Sequence, residues 1–358
     1  MTESLRIVLV HSGHTWSTHD VYVGIRRGLE SHGVEVVPYR LDTRMPAARR
    51  WLEVVRDEFN EGTDTISAND VQYQACKGIA LKVLEELCDG VVIVSGLLVE
   101  PRATILLRRL GIPVFVYGTE SPYEDDRLSK ICAYANYVSV NEPDSVAPMQ
   151  SAIAEHGGEA LYLPTGFDPS VHRPGIDENI FCRGHDVVFV GSGFPARVEL
   201  MESVDWSGID LGLYGSWIWN DDGSPLDQYI IGGVIPNRIT TEIYKRSKIV
   251  LNLFREDSDL QTDASFASKK KGKTLNPRII EAAAAGNFVI SEYRPSVPET
   301  FGDDVPTFET GKQLRALVDE WLQKDSERDI IASRMPEHVE GYSYANIAAE
   351  ILKTMFAT

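Results

Sequence analysis

The sequence predicts an α/β protein with two doubly wound parallel sheets. Short β-branched runs such as VVFV alternate with amphipathic stretches of helical length, the pattern of parallel strands that are buried on both faces and joined by helices. A chain of 358 residues has room for about two domains. The proline- and glycine-rich stretch Leu163–Gly175 separates two series of these units. We therefore predict domains at 1–164 and 165–340, and a final helix over 341–358 that packs back on the first domain.

Each element follows from its local pattern, strands from β-branched or aromatic runs and helices from apolar residues three or four apart. In the first half we predict strands at Arg6–His11, Val34–Tyr39, Gly90–Ser95, Pro113–Tyr117, Tyr137–Val140 and Ala160–Leu163, and helices at His19–Ser31, Asp70–Cys88, Arg102–Leu110 and Asp144–Glu155. In the second half we predict strands at Asp186–Val190, Ile209–Tyr214, Lys248–Leu253 and Phe288–Ser291, and helices at Ala196–Ser203, Asn237–Arg246, Pro277–Ala285, Lys312–Gln323, Ser326–Ser333 and Tyr344–Met355. The acids Glu124–Asp126 are interpreted as a solvated helix start, and Trp51–Thr65 as an acceptor loop.

Charge and cysteine content exclude several classes of protein. The 53 acidic residues outnumber the 35 basic ones, which disfavours general nucleic-acid binding. The four cysteines lie far apart without a CxxC pair, against a zinc site or a disulfide framework. The longest apolar runs are too short for a signal core or a membrane span. We expect a cytoplasmic protein.

Two segments carry candidate ligand-binding residues. In VVFVGSGFPARVELM, a glycine turn between a strand and a helix brings Gly193 and Arg197 to a helix N-terminus, which favours phosphate; the alternative is a tight turn with a solvated arginine. In LNPRIIEAAAAGNFVIS, Arg278 and Glu281 share a face of the helix that begins at Pro277. Glu281 can accept both hydroxyls of a ribose, and the alternative is a surface ion pair.

The order of these segments resembles a known family. LPTGFDPSVHRP, FVGSG, YGSW, GVIPNRITTEIYKRSKIVLNLF and NPRIIEAAAAGNFVIS follow one another as in nucleotide-sugar glycosyltransferases with two facing Rossmann-like domains and an interdomain cleft (the GT-B architecture), most closely the spore-maturation CgeB-like branch. The resemblance implies transfer of a sugar from a nucleotide diphosphate sugar, a UDP-sugar first, to an acceptor hydroxyl. It implies no metal and no further cofactor.

The resemblance also implies roles for residues of the second domain. Glu281 takes the place of the ribose-binding glutamate, Asn276 and Arg278 belong to the same signature, and Gly193 and Arg197 match the diphosphate end. Segments that flank the nucleotide base contain Tyr214, Gly215, Trp217 and Ile235, with Trp217 or Trp219 as the stacking ring. The sequence departs from the family at Lys273, where relatives with paired glutamates have an acid, and at Ser192, where an arginine is common.

The acceptor side is less defined. His14, Asp20 and Glu120 follow predicted strands of the first domain and are candidate bases for the acceptor hydroxyl. The lysines of Lys269–Lys273 either form a solvated charge run or close over the diphosphate, and a minority hypothesis makes a modified DNA base the acceptor there. The alternatives are a sugar-nucleotide epimerase of the same fold and a catalytically inactive nucleotide-sugar-binding protein.

Overall fold

The computed structural model describes residues 4–13, 18–59, 65–96, 98–221, 223–256 and 272–356. The chain forms two compact units, one of Met1–Pro164 with Tyr344–Thr358 and one of Thr165–Ser343. Within the described residues, each unit contains a six-stranded sheet in which every neighbouring pair is parallel. The predicted α/β class with two Rossmann-like sheets is confirmed.

The first unit has the strand order β2-β1-β3-β4-β5-β6. Its strands are β1 (Arg6–His11), β2 (Glu35–Arg40), β3 (Gly90–Val94), β4 (Val114–Tyr117), β5 (Tyr137–Val140) and β6 (Glu159–Tyr162). Its helices are α1 (His19–Ser31), α2 (Leu41–Phe59), α3 (Ala68–Glu85), α4 (Pro101–Arg109), α5 (Asp125–Ile131), α6 (Val146–Ile153) and, from the end of the chain, α13 (Tyr344–Phe356). None of the helices in the described ranges of either unit is long and apolar enough to cross a membrane.

Alternate residues of the first sheet enter two different cores. Val8 and Val10 of β1 pack in one cluster, whereas Ile7 and Leu9 pack in another on the opposite face. Both faces are buried because side chains alternate along a strand and helices cover each side. This explains the unbroken apolar runs from which the strands were predicted.

Helix α13 covers one face of the first unit by packing against α1. Its Ile347 and Ile351 share a core cluster with Ile25 of α1. The approach is close, because a Cβ added at Gly28 would lie 2.3 Å from the carbonyl oxygen of Tyr344. A glycine at this position allows the two helix backbones to meet.

The second unit has the order β12-β11-β10-β7-β8-β9. Its strands are β7 (Val187–Val190), β8 (Leu211–Tyr214), β9 (Ile230–Gly232), β10 (Ile249–Asn252), β11 (Val289–Glu292) and β12 (Thr307–Phe308). Its helices are α7 (Pro195–Glu202), α8 (Asn237–Arg246), α9 (Pro277–Ala284), α10 (Ser296–Phe301), α11 (Gly311–Trp321) and α12 (Asp325–His338).

Two local interpretations are corrected. Residues 51–59 are the end of α2 and not a loop, because Met45, Ala48 and Leu52 form a helical apolar stripe that packs near α3; residues 60–64 lie outside the described part of the chain. The acidic stretch begins α5 as predicted, but Asp125 is buried and accepts a hydrogen bond from the Ser145 hydroxyl. The start of this helix is therefore only partly solvated.

Candidate functional site

The site is at the carboxyl edge of the second sheet, where the direction of strand order reverses. From β7 the chain runs to β8 and β9 on one side and then returns to place β10 on the other. The crevice between the ends of two such strands is the usual ligand position in open α/β sheets. Here it is bordered by the turn after Val190 and by Leu253 and Phe254, which follow β10.

Arg278 bridges this crevice from the second residue of α9. Its Nε donates to the carbonyl oxygen of Val190 at 2.7 Å and its Nη1 to that of Leu253 at 2.9 Å. Burial lowers the pKa of the guanidinium from its ordinary value, because a charge loses hydration in the interior. The side chain is therefore directed to the strand ends and does not form the solvated surface pair that its spacing with Glu281 allows.

Arg197 reaches the same point from α7. Its guanidinium donates to the carbonyl oxygens of Ser192 at 2.9 Å, Phe254 at 3.0 Å and Leu253 at 3.2 Å. It is 7% exposed, so the alternative of a solvated arginine is wrong. The guanidinium carbon of Arg197 lies 5.5 Å from the ring centre of Phe189, and that of Arg278 lies 4.5 Å from the same ring. Two cations thus converge on one ring and on one carbonyl oxygen.

The glycine turn lies directly over these arginines. A Cβ added at Gly191 would lie 2.3 Å from Nη2 of Arg278, and one at Gly193 would lie 2.2 Å from Cε3 of Trp217. Gly215, with φ of 115°, would meet the carbonyl oxygen of Gly191 at 2.3 Å. Only glycine fits these positions. Helix α7 begins immediately beyond them at Pro195, and its N-cap residue, Phe194, has no polar side-chain group to cap it. Such an end can bind an anion.

The aromatic residues near the turn divide into buried and exposed ones. Trp217 is buried edge-on against Phe189 and its indole N–H faces the carbonyl oxygen of Tyr214 at 3.4 Å. The Tyr214 hydroxyl pairs with His185 at 3.0 Å, and burial raises its pKa. Trp217 therefore belongs to the core, whereas Trp219, close to Phe194, is 42% exposed. Of the two predicted stacking rings, Trp219 is the accessible one.

Glu281 projects from the next turn of α9. Its Oε1 accepts from Nδ2 of Asn237 at 3.3 Å and lies 3.8 Å from Nε2 of His172. Asn276 caps this helix, because its Oδ1 accepts the Ile279 amide at 3.2 Å while its Nδ2 donates to the carbonyl oxygen of Leu253. The carboxylate of Glu281 and the guanidinium of Arg278 therefore both project from the first two turns of a capped helix.

Three functional candidates escaped the sequence analysis. Glu292 ends β11 and accepts the Phe254 amide at 2.9 Å; burial raises its pKa, opposed by that bond and by the charge of Arg294. Glu292 could have been predicted from the sequence, because an acidic residue at the end of a buried strand is a typical candidate for a functional site. Local spacing in the sequence provided no signal for Asn237, the first residue of α8, or for His172, within the stretch Leu163–Gly175. Only the fold brings them to Glu281.

The remaining predicted residues are spread over both units. Asp20 is exposed in the first turn of α1, and Glu120 follows β4, half-buried, with the Thr119 hydroxyl 3.4 Å from its Oε1. Both lie at the carboxyl edge of the first sheet, with β3 between their strands. Lys273 is exposed just before α9, and Ile235 is half-buried in the turn after β9. His14 and 269–271 lie outside the described residues.

Comparison with known proteins gives the following similarities. Residues 197–353 match the protein family described as glycosyl transferase-like. No curated protein matches the chain. The fold is similar to a sucrose-phosphate synthase from Thermosynechococcus elongatus (13% identity, 99% of each chain, TM-score 0.62) and to the trehalose-6-phosphate synthase OtsA (11% identity, 99% of each chain, TM-score 0.65). It is also similar to T4 phage BGT, crystallised in complex with its UDP-glucose substrate (12% identity, 99% of this chain and 100% of that chain, TM-score 0.59).

Proposed function

We propose that this chain is a glycosyltransferase that transfers a sugar from a nucleotide diphosphate sugar to an acceptor hydroxyl; the match of residues 197–353 to a glycosyl transferase-like family and the GT-B fold support this. The observation that carries the proposal is the pair of guanidinium groups, Arg197 and Arg278, at the strand-order reversal beneath a glycine turn. A diphosphate is the ligand chemistry that suits two cations and a helix N-terminus. UDP is the first nucleotide to test, because T4 phage BGT binds UDP-glucose.

In this proposal each part of the site has one task. Glu281 accepts the ribose hydroxyls, and the turn at Gly191–Gly193 admits the diphosphate to the arginines below it. The acceptor oxygen attacks the anomeric carbon, the bond from that carbon to the diphosphate oxygen breaks, and a base takes the hydroxyl proton. The leaving diphosphate carries the negative charge that develops, so cations fixed beforehand stabilise the transition state in the role that a metal has elsewhere.

The acceptor would be activated by a residue of the first unit. His14, Asp20 and Glu120 remain the proposed bases. Glu120 has a local hydroxyl neighbour in Thr119, whereas Asp20 is exposed on a helix start. The identity of the acceptor follows only from an acceptor screen once the donor is known, and a modified DNA base near Lys269–Lys273 is one class to include.

Lys273 favours a second candidate, a protein that binds nucleotide sugar without turning it over. It is exposed before α9, at the position where relatives with paired glutamates have an acid. This candidate predicts binding of a nucleotide sugar with no release of diphosphate to any acceptor or to water. An epimerase would instead change the nucleotide sugar without an acceptor.

The first experiment is a thermal-shift panel of nucleoside diphosphates and their sugars. A ligand at one hundred times its Kd stabilises the folded state by about 2.7 kcal/mol, so a true ligand raises Tm measurably. We expect one diphosphate to raise Tm of the wild type and to have little effect on Glu281→Ala. Glu299→Ala, which removes an exposed acid of α10, is the control and should respond as wild type. If no member of the panel shifts the wild type, the nucleotide-sugar proposal is wrong.

A further inference from the structure

His172 is held rigidly in a turn within the stretch Leu163–Gly175 that separates the two predicted domains. The amide of Asp168 donates to its Nδ1 at 3.2 Å, and the amides of Val171 and His172 donate to the carbonyl oxygen of Asp168 at 3.0 and 2.8 Å. The residue is only 4% exposed. Three hydrogen bonds within five residues therefore fix where the imidazole points.

The other ring nitrogen is a buried donor without a hydrogen bond. Because Nδ1 accepts an amide N–H, the proton of the neutral ring is on Nε2. Nε2 is buried and has no hydrogen-bond partner among the described residues. A buried donor left unpaired destabilises the folded state, and such a group in a native structure calls for a physical reason.

The polar atom that Nε2 faces is Oε1 of Glu281. The two atoms are 3.8 Å apart, too far for a hydrogen bond but within reach of one small movement of the carboxylate. Asn237 donates to the same oxygen at 3.3 Å, at the long end of the range for such a bond. Both donors thus approach the same oxygen of a carboxylate whose side chain is 16% exposed.

We propose that His172 is a positioning residue for Glu281: its Nε2–H bonds to Oε1 when the carboxylate engages the vicinal diol of a ligand. This rests on the proposed function, in which Glu281 receives the ribose. An ionised carboxylate accepts only, so two donors that hold Oε1 leave the other oxygen to accept from ligand hydroxyls. The pair therefore favours a ribose diol over a sugar that lacks one of the two hydroxyls.

The side chain offers matched substitutions that separate this role from packing. His172→Asn retains a polar amide group near the position of Nδ1 and removes the Nε2 donor. His172→Gln places an amide nitrogen, which can donate, close to the position of Nε2. The readout is isothermal titration with UDP and 2′-deoxy-UDP. It is applied to the full chain carrying His172→Asn or His172→Gln, and to the same variants with Glu281→Ala. A hydrogen bond to a charged group is worth about 1.5–3 kcal/mol, or about 10–100-fold in Kd.

We expect His172→Asn to weaken UDP binding about tenfold or more and to change 2′-deoxy-UDP binding much less. His172→Gln should recover most of the UDP affinity, and neither substitution should matter in the Glu281→Ala background. Titrations are made well below the Tm of each variant, so that loss of folded protein does not contribute.

Equal losses for both ligands, or a loss that persists in Glu281→Ala, would show that His172 acts through structure alone and overturn the inference. Unchanged UDP binding in His172→Asn, with binding weakened in Glu281→Ala, would overturn it while leaving the proposed function intact. UDP binding that is as tight in Glu281→Ala as in the wild type would instead refute the ribose assignment on which both depend.

Discussion

Gly191→Ala should weaken nucleotide binding by displacing Arg278 without replacing any charged residue. The added Cβ would lie 2.3 Å from Nη2 of Arg278, whereas carbon and nitrogen atoms normally approach to about 3.5 Å. The guanidinium therefore has to retreat by about 1.2 Å. A shift of that size stretches its bonds of 2.7 Å to Val190 and 2.9 Å to Leu253 to or beyond the hydrogen-bonding range.

We expect Gly191→Ala to weaken binding only of ligands that carry a diphosphate. Loss of one charge-assisted contact costs about 1.5–3 kcal/mol, so Kd for UDP should rise about 10–100-fold while Kd for uridine stays the same. Isothermal titration of both ligands measures this. Gly341→Ala is the control, because a Cβ there meets no atom within 4 Å and the residue lies outside the candidate site. If Gly191→Ala binds UDP as tightly as wild type, the position of Arg278 does not contribute to diphosphate binding.

Two further predictions concern stability. Gly28→Ala should lower the unfolding free energy by about 1–2 kcal/mol in urea titrations, since overpacking against the Tyr344 carbonyl (about 1–3 kcal/mol) outweighs the helix propensity gained. Gly341→Ala, with open space, should change it by less than about 0.5 kcal/mol, and equal effects would contradict the packing argument. The hydrogen bond from Arg238, 2.6 Å long, lowers the pKa of Asp177 from 3.8 to about 2. The ionised Asp177 carboxylate therefore stabilises the folded state fully above its ordinary pKa. This stabilisation is lost as pH falls from about 4 to about 2. Asp177→Asn should thus differ from wild type in urea midpoint near pH 5 and converge with it near pH 2, and a difference independent of pH would show that ionisation of Asp177 does not contribute.

Local sequence patterns were sufficient to predict the helices and strands whose conformation depends mainly on their own residues. Helices α1 and α8 occur at the predicted positions, and α9 ends within one residue of its predicted end. The strands buried on both faces have nearly unbroken apolar runs, as parallel strands covered by helices do. Helix α2 was missed because its stripe of Met45, Ala48 and Leu52 is narrow and interrupted by charged residues, and because Pro46 lies inside it. Its helical state depends on packing near α3.

The sequence by itself determined the fold class, the order of most of the strands and helices and the segments that meet at the strand-order reversal, because periodicity and glycine turns are local properties. The tertiary structure alone decided which way each side chain points. It turned Arg197 inward onto three carbonyl oxygens and buried Trp217 instead of Trp219. It also brought His172 and Asn237 to Glu281. These contacts join residues 44 to 109 positions apart in the chain, and a spacing rule that spans a few residues carries no information about them.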